Sequence, residues 1–255
     1  MLKTGLVLSG GGVRGFAHLG LLQALHEMGI RPSAVSGVSA GAIVGAFYAA
    51  GLEPKKIMEI LKKNSYFGWS NFFLNRDGFF SMKALLSTMQ AYIPRDSFES
   101  LGIPFFVTAT DFSNNKSVTF SKGELYRTVL ASSSVPVIFE PVKIGDDLFV
   151  DGGLLNNFPV EPLEKICNKL IGSHVNSIHT GVNTAKRIGK MNIIEKCFHM
   201  AIANTIHAKA QKCDLFIEPP LHQFGMFDSN KSDIIYDSGY QSGMKYKSEL
   251  TRLFK

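Results

Sequence analysis

A chain of 255 residues has room for one sizeable core, and no Pro/Ser/Gly-rich linker or charge run divides it, so a single domain over residues 1–255 is expected. Hydrophobic residues make up 45% of the sequence beside ordinary numbers of glycine and proline, which excludes a disordered or fibrous protein. The formal charge of +6 favours anionic partners, but the basic residues are dispersed: Lys55-Lys56 and Lys62-Lys63 flank one helix, and Lys186-Arg187 falls in a loop. That dispersion reads as solvated faces, with weak peripheral contact to an anionic membrane as the alternative and no nucleic-acid partner. Three scattered cysteines, Cys167, Cys197 and Cys213, argue against a disulfide framework or zinc knuckle and suit a reducing compartment. Met1–Leu8 is too short for a secretory signal, so a cytoplasmic chain is expected.

Along the chain, the apolar run Leu6-Val7-Leu8 stops at Gly10-Gly11-Gly12-Val13-Arg14-Gly15 and resumes as a helical pattern over Phe16 to Met28. This is strand, tight loop, helix, and glycines there let backbone N–H groups point at an anion. Ala34-Val35 repeats the grammar, entering Gly37-Val38-Ser39-Ala40-Gly41 and leaving as a helix over Ala42 to Ala50. A serine on such a strand-to-helix turn has the nucleophile-elbow arrangement. The uncharged stretch 34–52 approaches a transmembrane length, but Ser33, Ser36 and Ser39 interrupt it and Pro32 and Gly37 break its first third. A buried strand and a buried helix fit better, with Gly41 and Gly45 allowing close approach to the sheet.

A helix from Glu53-Pro54 through Leu61 places Ile57, Ile60 and Leu61 on one face. The aromatic segment Tyr66 to Phe80 has no clear period and reads either as a loop packed on the core or as an apolar lid facing lipid. Strands are expected at Pro104–Thr110, Ser117–Phe120, Leu148–Val150, Leu170–Val175 and Asp214–Ile217. Helices are expected at Leu125–Ala131, Ile193–Lys212 and Ile234–Leu253. Alternating strands and helices imply a mainly parallel α/β sheet covered on both faces. Sites in such sheets lie at the carboxyl ends of strands, where Gly10, Ser39 and Asp151 of Asp151-Gly152-Gly153 all fall.

Gly10-x-Gly12-x-x-Gly15 also satisfies a dinucleotide fingerprint. That fold wants a carboxylate closing the second strand, and here stands Ser36-Gly37-Val38-Ser39 instead. A Ser-Asp-His order is met by Ser39, Asp151 and any of His174, His179, His199, His207 or His222, yet in the α/β-hydrolase plan several strands precede the serine. His199 and His207 are eight apart, not the four that would set two metal ligands side by side, and no metal or other cofactor is expected. His18 is expected to be structural. An acyltransferase of the serine-histidine type and a non-catalytic lipid-binding module complete the alternatives.

Taken in this order, Gly-Gly-Gly-Val-Arg-Gly at 10–15, Gly-Val-Ser-Ala-Gly at 37–41 and Asp-Gly-Gly at 151–153 resemble the patatin-like phospholipase family. The likeness extends to Phe16-Ala17-His18-Leu19-Gly20, Ala131-Ser132-Ser133-Ser134-Val135-Pro136 and Asn156-Asn157-Phe158-Pro159, spanning about residues 4–165. The resemblance implies a three-layer α/β/α sandwich with a mainly parallel central sheet and hydrolysis of lipid acyl esters by a serine-aspartate dyad. By the family pattern Ser39 is the nucleophile, Asp151 its base, and Gly10, Gly11, Gly12, Arg14 and Gly15 the oxyanion loop, with Gly37, Gly41, Gly152 and Gly153 in support. Arg14 reads as a loop anchor or as a contact for anionic substrates. Lipid headgroup, acyl chain and oligomeric state are not specified by these motifs.

Overall fold

A computed structural model describes residues 3–63, 82–176, 196, 200, 206–226 and 229–254. Its centre is an eight-stranded sheet of order β5-β6-β3-β2-β1-β7-β8, with β4 pairing β3 off that path. The strands are β1 (Thr4–Leu8), β2 (Ala34–Gly37), β3 (Phe105–Asp111), β4 (Lys116–Phe120), β5 (Val142–Ile144), β6 (Asp147–Asp151), β7 (Lys169–Ser173) and β8 (Leu215–Ile217). The run β3-β2-β1-β7-β8 is parallel throughout, whereas β4 and β6 join β3 antiparallel and β5 joins β6 antiparallel.

Both faces of the parallel strands are apolar, because each is covered. Leu6 and Leu8 of β1 point into a core shared with helices α1 (Phe16–Glu27), α2 (Ala40–Ala49) and α3 (Pro54–Lys63). Val7, between them, points to the other face, where Phe158, Val160, Leu163 and Leu170 pack beside α6 (Glu161–Glu164). Period-two alternation thus feeds two cores from one strand. The first face also receives α4 (Met82–Tyr92), α5 (Leu125–Ser132), α7 (Ser232–Lys245) and α8 (Lys247–Phe254). The result is the three-layer α/β/α architecture.

The stretch 34–52 is a four-residue strand and a ten-residue buried helix. A Cβ on Gly41 would stand 2.4 Å from the Leu8 carbonyl oxygen, and one on Gly45 would stand 2.5 Å from the Phe105 ring. Any larger side chain would push α2 off the sheet. Among the described residues, no helix is long and apolar enough to cross a membrane.

Several expectations are refined. The closing helix is two helices, divided at Tyr246, and α4 and β5 are elements that the residue pattern does not announce. The aromatic segment 66–80, most of the helix expected at 193–212, Lys186-Arg187, Cys197, His179 and His199 lie outside the described residues.

Candidate active site

Strand register brings the three motifs to one level. Leu8 pairs with Gly37, Gly37 with Val107, and Ala109 with Asp151. Two residues past Leu8, Gly37 and Val107 stand Gly10, Ser39 and Ala109, so glycine loop, serine and aspartate share one height above the parallel strands. Asp151 reaches that height from the opposite direction to the other two. Strand β6 runs antiparallel to β3, entering from beyond the carboxyl edge and descending to Ala109.

Ser39 has φ 53° and ψ −123°, a left-handed conformation that costs on the order of 1–3 kcal/mol for a residue with a Cβ. Neighbouring groups hold it there. Its N–H donates to Ser132 Oγ at 2.9 Å, the Ser132 hydroxyl donates to the Thr108 carbonyl at 2.7 Å, and the Ser133 hydroxyl donates to the Ser39 carbonyl at 3.4 Å. The same carbonyl accepts the Ala42 and Ile43 N–H groups, which starts α2 immediately behind the serine.

Asp151 is buried, and its backbone is fixed on both sides. Its N–H donates to the Ser134 carbonyl at 2.8 Å, and its carbonyl accepts the Thr110 hydroxyl at 3.0 Å. One carboxyl oxygen, Oδ1, accepts the Gly153 N–H at 2.8 Å. The other, Oδ2, is buried without a hydrogen bond of normal geometry, although the Ser39 hydroxyl is near enough to favour the anion. Burial dominates and pushes the carboxyl up to about 6, against the pull of Ser39 and Gly153.

The glycine loop is tied down by its carbonyls. Gly10 O accepts the Ser9 hydroxyl at 3.0 Å and Asn176 Nδ2 at 2.6 Å, and Gly11 O accepts the Arg14 N–H at 3.2 Å. Among the described residues, the N–H groups of Gly10, Gly11 and Gly12 donate no hydrogen bond. Gly12 has φ +58°, and a Cβ there would stand 2.3 Å from Met226 O, so glycine is required. Gly15 lies against Ala40, Gly37 against Gly41, and Gly152 against Thr108 O.

Arg14 is buried, its Nε donating to Phe224 O at 2.7 Å and its Nη1 to Asn176 Oδ1 at 3.4 Å. With the Val13 N–H bonded to Met226 O at 2.8 Å, it straps the loop to segment 224–226. Arg14→Met keeps the stem but strands a buried carbonyl, so a stability loss of about 1–3 kcal/mol is expected. Urea unfolding measures it, and an unchanged midpoint would show that the strap carries no load.

Three described histidines have partners outside the Ser39–Asp151 pair, although the buried His174 Nε2 has no hydrogen bond. His18 is fully buried between Ser173 Oγ at 2.7 Å and Ser9 O at 2.9 Å, and burial pushes it down to about 4, so it is neutral. His174 Nδ1 meets Glu218 Oε1 at 2.6 Å, and His207 Nε2 meets Gln211 at 3.1 Å. Sequence reasoning gave no role to Ser132, Asn157, Thr110 or Asn176. The first two stand in quoted motifs and had a visible signal; Thr110 and Asn176 had none.

A family model described as patatin-like phospholipase matches residues 6–164. An uncharacterized NTE family protein of Mycobacterium tuberculosis (strain H37Rv) is 30% identical over 172 residues, covering 63% of this chain and 45% of its own length. Lysophospholipase NTE1 of Cryptococcus neoformans (strain JEC21) is 32% identical over 180 residues, covering 64% of this chain and 10% of its own. The chain therefore spans less than half the length of these curated relatives. Among solved structures, VipD from Legionella pneumophila superposes with a TM-score of 0.57 at 17% identity, covering 98% of this chain and 67% of VipD, a likeness of fold. Since the matched region runs from the first strand past the aspartate loop and holds all three motifs, the chain belongs to the patatin-like phospholipase family.

Proposed function

We propose that this chain is a serine lipid acyl hydrolase that cleaves carboxylic esters through a Ser39–Asp151 dyad and an acyl-enzyme. The observation that carries the reading is the meeting of a serine held at φ 53° with a buried carboxyl whose Oδ2 lacks a normal hydrogen bond. In the first step Ser39 Oγ bonds to the acyl carbon while its proton passes to Asp151. The carbonyl π pair moves onto oxygen, which faces the undonated N–H groups of the glycine loop. Collapse breaks the bond to the leaving alcohol, which takes the proton from Asp151. Asp151 then deprotonates a water that attacks the acyl carbon, and the proton returns to Ser39 as the fatty acid leaves.

An aspartate near its ordinary pKa is a poor base for a serine hydroxyl. Burial raises Asp151 toward neutrality while leaving it largely ionised at pH 7 to 8, where a base is needed. Among lipid esters, a lysophospholipid is the substrate suggested by the Cryptococcus relative. Three substrates test the reading: a fluorogenic medium-chain ester, lysophosphatidylcholine, and diacyl phosphatidylcholine vesicles. A fluorophosphonate probe is added to trap the nucleophile. Turnover with the adduct on Ser39 is expected; an adduct on another serine, or neither turnover nor adduct, would refute the proposal.

A further inference from the structure

Asn157 is a buried side chain, 2% exposed, whose Nδ2 and Oδ1 both lack a hydrogen-bond partner. Leaving a buried amide unpaired is costly, and folded proteins seldom do so. Its neighbour shows the ordinary outcome: Asn156 donates to Glu161 Oε2 at 3.2 Å and accepts from the Phe158 N–H and from Lys209. Position identifies what the orphan amide faces. The point where a Cβ on Gly10 would stand is 2.4 Å from Asn157 Oδ1 and 3.1 Å from Ser39 Cβ, so amide, glycine loop and serine converge there.

We infer that the Asn157 amide is a further oxyanion donor: no hydrogen bond fixes which way it is turned, and a half-turn about the Cβ–Cγ bond exchanges the Oδ1 that lies beside Gly10 and Ser39 for Nδ2, one N–H of which hydrogen-bonds the ester oxygen as Ser39 attacks the adjoining carbon. The inference rests on Ser39 being the nucleophile. Backbone N–H groups of the glycine loop approach the oxygen from one side, and Asn157 supplies a neutral side-chain donor beside them. A neutral donor strengthens as charge develops on the oxygen and adds no net charge beside Asp151. The chain beside the amide is anchored, because the following Phe158 is fully buried and meets Phe216 and His174 edge-to-face, with ring centroids 5.5 and 6.1 Å away.

The test compares wild type, Asn157→Leu, Asn157→Asp and Ser39→Ala on the fluorogenic ester. It includes inhibition by an alkyl trifluoromethyl ketone, which adds the serine oxygen and becomes a stable oxyanion. Both Asn157 variants are expected to lower kcat by about 10²-fold with little change in KM, and to weaken the ketone by a similar factor. The melting temperature of Asn157→Leu should hold or rise, because an orphan polar group has been removed. With Ser39→Ala inactive, near-wild-type kcat and ketone affinity in both variants would overturn the inference. So would a lower melting temperature with ketone affinity intact, which is the signature of a structural amide. Turnover surviving in Ser39→Ala would instead sink the dyad reading, and this inference with it.

Discussion

Ser39→Ala and Asp151→Asn are each expected to lower ester turnover by about 10⁴-fold or more, and the double variant to be no worse than the poorer single one. Non-additivity follows from the chemistry, because neither group does useful work alone. Without the serine there is no acyl acceptor. Without the carboxylate, the hydroxyl loses the base proposed for it; among the described histidines His18 is neutral and bound at both nitrogens, His174 is tied to Glu218 through Nδ1, and His207 meets Gln211. Asp151→Asn is nearly isosteric and retains an oxygen to accept the Gly153 N–H, so the aspartate loop should hold its shape. Residual activity in Asp151→Asn above about one tenth of wild type would show that another base serves Ser39. Alanine replacements at His174, His179, His199, His207 and His222 complete the comparison. A large loss at any of them, without a fall in melting temperature, would point to a triad.

Parts of this site are legible because glycine interrupts apolar runs. Leu6-Val7-Leu8 stopping at Gly10 and Ala34-Val35 stopping at Gly37 mark strand ends by composition alone, and parallel strands put such ends on one edge. The descent of Asp151 is harder to read, because Leu148-Phe149-Val150 looks the same whether its strand runs with or against its neighbour. Its direction appears only in the antiparallel pairing of β6 with β3, outside which the short β5 pairs. Strand β5 has three residues, and the single apolar-polar-apolar step Val142-Lys143-Ile144 is too short to announce a strand. The division of the closing helix at Tyr246 has no glycine or proline to signal it, and α4 buries only Leu85, Thr88 and Met89. The most consequential gap is energetic. Letters show that Asn157 and Asp151 are polar; only packing shows that each has a buried atom lacking a normal hydrogen bond, which separates a turn residue from a candidate reactive group.

Asp151 should also leave a pH signature in activity and in stability, with opposite signs. As the proposed base it must be ionised, so kcat/KM for the fluorogenic ester is expected to fall tenfold per pH unit below about 6, where burial has placed the carboxyl. Stability runs the other way. The unfolded carboxyl titrates near 3.8, so between there and about 6 the folded state holds a proton that the unfolded state has released, and folding is favoured. That advantage is complete below the unfolded value and is lost as pH rises through the folded one, a swing of about 3 kcal/mol across two pH units. Above pH 6 the native protein carries a buried anion at its own cost. Asp151→Asn never carries that anion, so it is expected to melt several degrees above wild type at pH 8, a difference that should close by pH 4. A constant gap at both pH values would attribute the change to packing. A variant less stable than wild type at pH 8 would mean that Ser39 and Gly153 compensate the ionised carboxyl fully, leaving no reserve of basicity to activate the serine. The two measurements bear on one property: the burial that would make Asp151 a competent base in the proposed mechanism would also make it an unfavourable residue for the fold.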